Sequence, residues 1–150
     1  MDQKIDDKMQ QVANIEKSLR MIADIVKQKG REILTQFPIT PPQFVALQWL
    51  HEHGDMTIGE LSTKMYLACS TTTDLIDRME KNGLVERLKD QNDRRVVRIH
   101  LLEKGATIIR EVIIKRQDYL SDVLLNLSNE EVKGLEQKLS NLHGEMSKEK

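Results

Sequence analysis

Two groups of residues in this chain have types and spacing that suit recognition of a phosphate backbone and of base edges. The first is a hydroxyl-rich run, Ser70 to Thr73, which stands where a helix is predicted to begin. The second is a pair of arginines, Arg94 and Arg95, which ends a polar segment between two short apolar segments. Hydroxyls and N–H groups at a helix start contact phosphates and bases, and loop arginines enter a narrow minor groove. Together they favour double-stranded DNA as the partner.

Two helices and a tight turn are predicted to position the hydroxyl-rich run. Thr57 and Glu60 have the spacing of a capping box, which predicts a short helix that begins there. After a tight turn, a second helix is predicted over about Thr71 to Asn82, capped by Ser70 or Cys69. Two helices of this length joined by a short turn form a helix-turn-helix.

A β-hairpin is predicted to follow the second helix. Leu84 to Leu88 and Val97 to Leu101 alternate apolar and polar residues, which is typical of half-buried strands. The link from Lys89 to Arg95 is too long for a two-residue turn, so it should project as a loop. The loop is the wing of a winged helix-turn-helix.

Long amphipathic helices are predicted on both sides of this module. The first two run from about Asp7 to Thr35 and from about Pro41 to Glu52, and a Ser128 to Glu131 capping box opens the last. Three of the flanking helices carry apolar residues at heptad spacing. The first has Val12, Ile15, Leu19, Ile22 and Val26, then Ile33 after a gap at Lys29; the helix that begins near Gly105 has Ala106, Ile109, Ile113, Leu120, Val123 and Leu127; and the last has Val132, Leu135, Leu139, Leu142 and Met146. A small central module cannot cover three such seams, so a two-fold dimer is expected.

Composition narrows the class of protein further. The chain has 150 residues, 39% of them hydrophobic and 31% charged, which suits one domain with helical arms. Net charge is −1, so a DNA-binding protein of this kind must place a few cations carefully. The apolar runs are far shorter than the ~20 residues of a membrane span and no signal peptide is evident, which predicts a cytoplasmic protein. One cysteine excludes an intrachain disulfide and a Cys-based zinc cage.

The wing and its flanks resemble the signature of a known family. Asp93-Arg94-Arg95, then five residues, Leu101 and Glu103-Lys104-Gly105 are similar to the wing signature of the MarR family of bacterial transcription regulators. The stretch Lys81 to Arg87 resembles that family's link from recognition helix to wing. Helix order agrees over nearly the whole chain. Leu102 stands where the family usually has threonine, which affects the cap of the next helix rather than DNA reading.

The resemblance implies a fold that is mainly α with a small β-hairpin wing. A winged helix-turn-helix at residues 38–103 would lie between dimerisation helices at residues 1–37 and 104–150. The resemblance also implies an obligate homodimer on a palindromic operator, usually a repressor, without a cofactor. Release would come from a small, often aromatic or phenolic effector bound between the dimerisation helices and the winged helix, or from thiol oxidation.

Eight residues are expected to contact DNA: Ser70, Thr71, Thr72, Thr73, Arg78, Lys89, Arg94 and Arg95. Arg95 is the expected minor-groove probe, and Arg94 and Lys89 are expected on backbone phosphates. Asp93 is expected to brace the wing by pairing with an arginine, because a carboxylate facing DNA would repel phosphate. Ser and Thr also gather at helix starts as plain caps, so the neighbouring wing is what favours a DNA role for the run.

Arg78 and Cys69 have open alternatives. Arg78 suits a phosphate or a guanine, but a surface ion pair with Asp74 or near Glu80 fits its spacing nearly as well. Cys69 stands at a helix N-terminus, where the dipole favours a reactive thiolate, so oxidation there could upset DNA binding. The competing hypothesis, which the sequence favours, is a small inert residue that fills a turn.

Other candidate ligand residues have plainer interpretations. Met21, Phe44 and Trp49 could line an effector pocket, but apolar residues at helical spacing are more often core. The four histidines, His51, His53, His100 and His143, lack metal-ligand spacing, so no metal site is predicted.

Three rival functions remain beside a repressor released by an effector. A redox-sensing regulator would act through Cys69. An enzyme lacks support, because the sequence has no nucleophile elbow, no phosphate-cradling glycine loop and no metal-ligand spacing. A module whose winged helix binds protein would dimerise without binding DNA.

Overall fold

The computed structural model describes residues 2–148. Within them the elements are α1 (Asp2–Leu34), α2 (Pro41–His53), β1 (Met56–Thr57), α3 (Ile58–Met65), α4 (Cys69–Lys81), β2 (Val85–Lys89), β3 (Val97–Leu101), α5 (Glu103–Leu124) and α6 (Asn129–Ser147). This mostly helical winged fold confirms the predicted class. The chain divides into two compact units between Ile113 and Ile114, inside α5. The boundaries at residues 37/38 and 103/104 stay predictions, and residues 1, 149 and 150 of those segments lie outside the described residues.

Local capping patterns fix three helix starts as predicted. Capping boxes with both hydrogen bonds are present at Thr40, Thr57 and Ser128, and α2 ends where Gly54 adopts a positive φ. Because each box closes within four residues, the sequence alone specifies it. The helix α1 begins about five residues earlier than predicted.

The start of α4 differs from the prediction. Cys69 and Ser70 were expected to cap this helix from outside, but both lie within it, and the N-cap is Ala68 without any side-chain hydrogen bond. The hydroxyl of Thr72 instead donates to the Ala68 carbonyl oxygen over 3.1 Å. The helix therefore begins two residues earlier than predicted, and the whole hydroxyl-rich run is helical.

The hairpin belongs to a three-stranded antiparallel sheet in the order β1-β3-β2. β2 and β3 pair from Val85 with Leu101 to Lys89 with Val97, close to the predicted strands. The two-residue strand β1, which was not predicted, adds Met56 opposite Ile99. β1 leads directly into α3, so the sheet ties the helix-turn-helix to the wing.

A single aliphatic core lies under the winged helix. Its fully buried large side chains are Leu47, Leu61, Ile76, Met79, Leu84, Val85, Ile99, Ile109 and Val112. Gly105 is required where α5 meets this core, because a Cβ there would lie 2.5 Å from the Leu84 carbonyl oxygen and 2.8 Å from Leu101 Cδ1. α4 and the wing therefore pack on one shared core.

The predicted heptad seams lie mostly outside that core. In α1, only Ile33 and Leu34 are buried, and the seam from Val12 to Val26 is exposed. In the second unit, residues 114–148, α6 has no buried residue, and Leu135, Leu139, Leu142 and Met146 are exposed. Each unit thus presents an uncovered apolar stripe.

Candidate DNA interface

The recognition helix α4 has one buried face and one outward face. Ile76 and Met79 are fully buried beneath it. On the opposite side, at i, i+4 spacing, Ser70, Asp74 and Arg78 are all exposed. Hydroxyl, carboxylate and guanidinium groups therefore line the surface that α4 offers to a ligand.

The hydroxyl-rich run splits between these two faces. Ser70 and Thr71 are exposed and Thr73 is half-buried. Thr72 is 0% exposed, which corrects its prediction as a DNA contact. With four consecutive helical residues, one had to face the core, and the Thr72 hydroxyl is satisfied there by a backbone carbonyl.

Arg87 on β2 neutralises two carboxylates of α4. Its Nη2 lies 2.6 Å from Asp77 Oδ1 and its Nη1 lies 2.6 Å from Glu80 Oε1. Its backbone N–H donates to the other Glu80 oxygen over 3.3 Å. Partial burial opposes its charge, but these two carboxylates raise the pKa of Arg87 above its usual value. Sequence reasoning missed this role, since the three residues meet only when β2 folds against α4.

Arg78 makes no ion pair with any other residue in the described part of the chain, and the same is true of Asp74. The predicted alternative, an ion pair of Arg78 with Asp74 or a neighbour of Glu80, is therefore absent from residues 2–148. Beside Arg78, Lys81 and the start of α2 line a cleft of about 450 Å³. Arg78 is free to meet a phosphate or a base.

Asp90 and Arg98 brace the base of the wing. Arg98 Nε donates to Asp90 Oδ1 over 2.9 Å, and Arg98 Nη1 lies 3.5 Å from Glu60 on α3. The other Asp90 oxygen accepts the N–H groups of Asn92 and Asp93, each over 3.0 Å. The Arg98 hydrogen bond, followed by these N–H groups, lowers the pKa of Asp90. The strand register places Arg98 opposite Leu88 and so brings it close to Asp90, which directly follows β2. A prediction of this register from the two strands would have revealed the pair.

The predicted wing arginines lie at the tip. Asp93 accepts hydrogen bonds from the Arg95 N–H and Nε, each over 3.1 Å, and the Arg95 side chain lowers the pKa of Asp93. The side chain of Arg95 is nevertheless 91% exposed. Arg94 and Lys89 are exposed as well. The loop thus presents three cations, one of which is paired within the loop itself.

Cys69 is exposed as the first residue of α4. It lies on the element that carries the outward face, one residue before Ser70. The inert turn-filling alternative predicted for it does not match this position, because the residue is helical and solvent-accessible.

The three predicted pocket residues occupy different environments. Met21 is exposed on α1, whereas Phe44 is buried in the core. Trp49 is half-buried, with its ring 5.0 Å from the His53 ring and the Lys64 ammonium 5.5 Å from its centroid. The structure does not give these residues a common cavity wall that would support the prediction.

The histidines do not gather into a metal centre in the described part of the chain. No group of three or more His, Cys, Asp or Glu with metal-binding arrangement occurs among residues 2–148. His100 Nδ1 lies 2.8 Å from Asp55 Oδ1, a contact that links β3 to the loop before β1. None of the helices described here combines the length and apolar character that crossing a bilayer requires.

The chain is similar to known proteins in both sequence and structure. Residues 39–97 match the sequence profile of the MarR family. The chain is 67% identical over 140 residues to the HTH-type transcriptional regulator YsmB of Bacillus subtilis (strain 168), covering 93% of this chain and 96% of that protein. A MarR family protein from Bacillus stearothermophilus has a similar structure, with 64% identity, a TM-score of 0.87 and coverage of 92% of this chain and 96% of that one.

The fold is also that of a DNA-bound protein. Streptococcus pneumoniae FabT, solved in complex with DNA, is 24% identical and superposes with a TM-score of 0.75 over 91% of this chain and 98% of that chain. The similarities to these three proteins each cover more than nine-tenths of the chain and so include the flanking helices, whereas the profile match stays within residues 39–97.

Proposed function

The chain belongs to the MarR family of DNA-binding transcription regulators, and we propose that it represses transcription from a palindromic operator as a homodimer. It is a regulator and not an enzyme. The observation that carries the proposal is that α4 and the wing pack on one shared core, with hydroxyls and Arg78 exposed on α4 and arginines exposed on the wing. A DNA-binding protein of a bacterium works where the chromosome lies, so we propose a cytoplasmic location.

The two elements suit two grooves of the same duplex. The major groove admits an α-helix, so α4 can lie in it with its outward face toward the bases. Ser70 and Thr71 would then contact phosphates, and Arg78 would contact a phosphate or a guanine. The wing would lie beside it, with Arg95 in the minor groove and Arg94 and Lys89 on the backbone.

Selection from a library of duplexes with a random 30-base-pair core tests this function. The protein should enrich a palindrome whose half-sites lie about one helical turn apart, at roughly 10 base pairs. Affinity for the enriched sequence, measured by gel shift, should fall steeply with salt. Failure to enrich any palindrome, with salt-independent binding, would overturn the proposal.

The exposed apolar stripe of α1 supports the homodimer. Its residues from Val12 to Val26 repeat at heptad spacing, and a stripe of this length is normally covered by a partner helix. Sedimentation should give twice the chain mass for the wild type. Ile15→Glu with Leu19→Glu should give monomers that bind DNA weakly, whereas Gln10→Glu with Ala13→Glu, on the opposite face of the same helix, should leave the dimer intact. A monomeric wild type would contradict the proposal.

Repression and release are tested together in transcription in vitro. Protein added to a template with the selected operator over a promoter should lower transcript yield, and an increase would contradict repression. An aromatic or phenolic effector must bind the DNA-free arrangement better than the DNA-bound one. A compound that raises the melting temperature of the protein should therefore weaken operator binding. A panel without any such compound would contradict release by an effector.

Exposure of Cys69 at the start of α4 favours one alternative, a thiol-based sensor. A bulkier or charged oxidised sulfur there would lie beside Ser70, within the outward face. Peroxide should then release DNA from the wild type but not from Cys69→Ser. Equal release from both proteins would exclude the thiol mechanism.

A further inference from the structure

Asp74 occupies the middle of the outward face of α4, one turn from Ser70 and one turn from Arg78. Its carboxylate is exposed and makes no hydrogen bond or ion pair with another described residue. A bare carboxylate at the centre of a surface that meets DNA would raise the electrostatic cost of binding, unless it has a specific partner there.

The other two carboxylates of α4 are already neutralised. Asp77 and Glu80 both hold the guanidinium of Arg87 at 2.6 Å. Arg78 has the spacing to neutralise Asp74 in the same way but does not. The fold thus cancels two negative charges next to the interface and leaves the central one uncompensated.

The chemistry of the major groove limits what that carboxylate can meet. Guanine presents two acceptors, N7 and O6, and thymine presents O4 and a methyl group, so all of these repel a carboxylate or leave it unsatisfied. Adenine offers its N6 amino group but sets the N7 acceptor beside it. Cytosine presents its N4 amino group as a donor without an adjoining acceptor of its own.

We propose that Asp74 is a specificity-determining residue, which accepts a hydrogen bond from the N4 amino group of a cytosine in each half-site. The inference rests on the proposed function, because it requires α4 to lie in the major groove. It assigns to Asp74 a role of selecting sequence at the expense of general affinity for DNA.

Selection with variants tests the assignment. Wild type, Asp74→Ala and Asp74→Asn are each given the random 30-base-pair library, with Glu111→Gln as a control that removes one exposed carboxylate of α5. The wild type and the control should demand cytosine at one position of each half-site. Asp74→Ala should lose that preference alone, and Asp74→Asn should change it to adenine, the base that an amide pairs with through N6 and N7.

The possible outcomes distinguish failure of the role assigned to Asp74 from failure of the proposed function. If the wild type selects a palindrome and both Asp74 variants select the same bases at every position, the inference is overturned and the proposed function stands. If the wild type selects no sequence, both are overturned.

Removal of the amino group from the DNA supplies a second test that does not depend on selection. The identified cytosine is replaced by the 2-pyrimidinone nucleotide, which lacks N4. This change should weaken wild-type binding on the order of tenfold and should leave Asp74→Ala unaffected. Equal losses for both proteins would show that Asp74 does not contact the amino group. On a duplex with scrambled half-sites, Asp74→Ala should bind more tightly than Glu111→Gln, because it removes a carboxylate from the surface that meets DNA.

Discussion

The recognition helix and the wing tip both pair their charges, but the two pairings differ in kind. On α4, one partly buried guanidinium from β2 holds Asp77 and Glu80 at 2.6 Å, and its side chain is 28% exposed. At the wing tip, Arg95 pairs with Asp93, two residues away, while 91% of its side chain stays in solvent. The first pairing joins two elements of the fold, and the second stays within one loop.

We infer from this difference that Arg87 neutralises its two carboxylates permanently, whereas Arg95 can leave Asp93. A guanidinium that makes charge-assisted hydrogen bonds to two carboxylates of another element forms a stable contact and positions its partners. A fully exposed pair gains little net free energy, so Arg95 can leave Asp93 at small cost when a minor groove offers more. We therefore expect Arg87 to stay paired in the DNA complex and Arg95 to change partners.

The largest effect should come from breaking the α4 pairing. Arg87→Ala leaves Asp77 and Glu80 unneutralised beside DNA phosphates and frees β2 from α4. Repulsion between these two carboxylates and the phosphates should cost about 2 kcal/mol of operator binding, which corresponds to ~30-fold in affinity measured by fluorescence anisotropy.

Neutralising the two acids supplies the control for this prediction. Adding Asp77→Asn and Glu80→Gln to Arg87→Ala should recover most of the affinity, because no unpaired negative charge remains. If the triple variant binds as weakly as Arg87→Ala while its melting temperature matches the wild type, Arg87 does not act by masking these carboxylates.

A smaller effect, about tenfold, is expected from Arg95→Ala on the selected operator. Binding to scrambled DNA should change much less, because a minor-groove arginine reads groove width as well as charge. Arg95→Lys keeps the charge but loses the planar guanidinium, so it should restore nonspecific binding more than operator binding. Unchanged operator affinity in Arg95→Ala would refute the minor-groove role.

The flanking cations should have effects that are smaller again and of another kind. Arg94→Ala and Lys89→Ala should each weaken operator and scrambled DNA alike, and each should reduce the slope of log affinity against log salt by about 1. Lys133→Ala on α6 serves as the control for loss of one positive charge. Loss of sequence preference without a change of slope would contradict phosphate contacts.

The extent to which the sequence predicts this molecule follows from the range of the interactions. The capping boxes at Thr40, Thr57 and Ser128 close within four residues, and the sequence predicts all three. The N-cap of α4 is different, because Ala68 has no side chain that could mark it. The capping pattern therefore predicted the start of α4 too late, beside the hydroxyl-bearing residues that include Ser70.

Contacts between elements are what the sequence conceals. The two-residue strand β1 exists only because β3 offers an edge for it to pair with. Arg87 meets Asp77 and Glu80 from ten and seven residues away, and Asp90 meets Arg98 across the wing. Thr72 points inward because it lies on the same face of α4 as the buried Ile76 and Met79. The sequence predicts which residue types lie at the interface. Which of their charges are paired depends on contacts between elements, and these are known only from the fold.

The smallest expected effect is that of low pH on the wing. It compares the base of the wing, at Asp90, with the tip, at Asp93. The pKa of Asp90 is lowered by the Arg98 hydrogen bond, so its folded value lies below the roughly 3.9 of an unfolded aspartate. Its contribution to wing order is therefore complete above the unfolded value and is lost as pH falls through the folded value. The amides of Asn92 and Asp93, whose N–H groups donate to Asp90, should stay protected from hydrogen exchange at neutral pH and should lose protection only as pH falls through the lowered pKa of Asp90. Asp90→Asn should weaken this protection across the whole range, whereas Asp93→Asn should release the Arg95 side chain and leave these two amides protected. Equal loss in both variants would mean that the base and the tip of the wing open as one unit, and Arg95 could then not be released by itself.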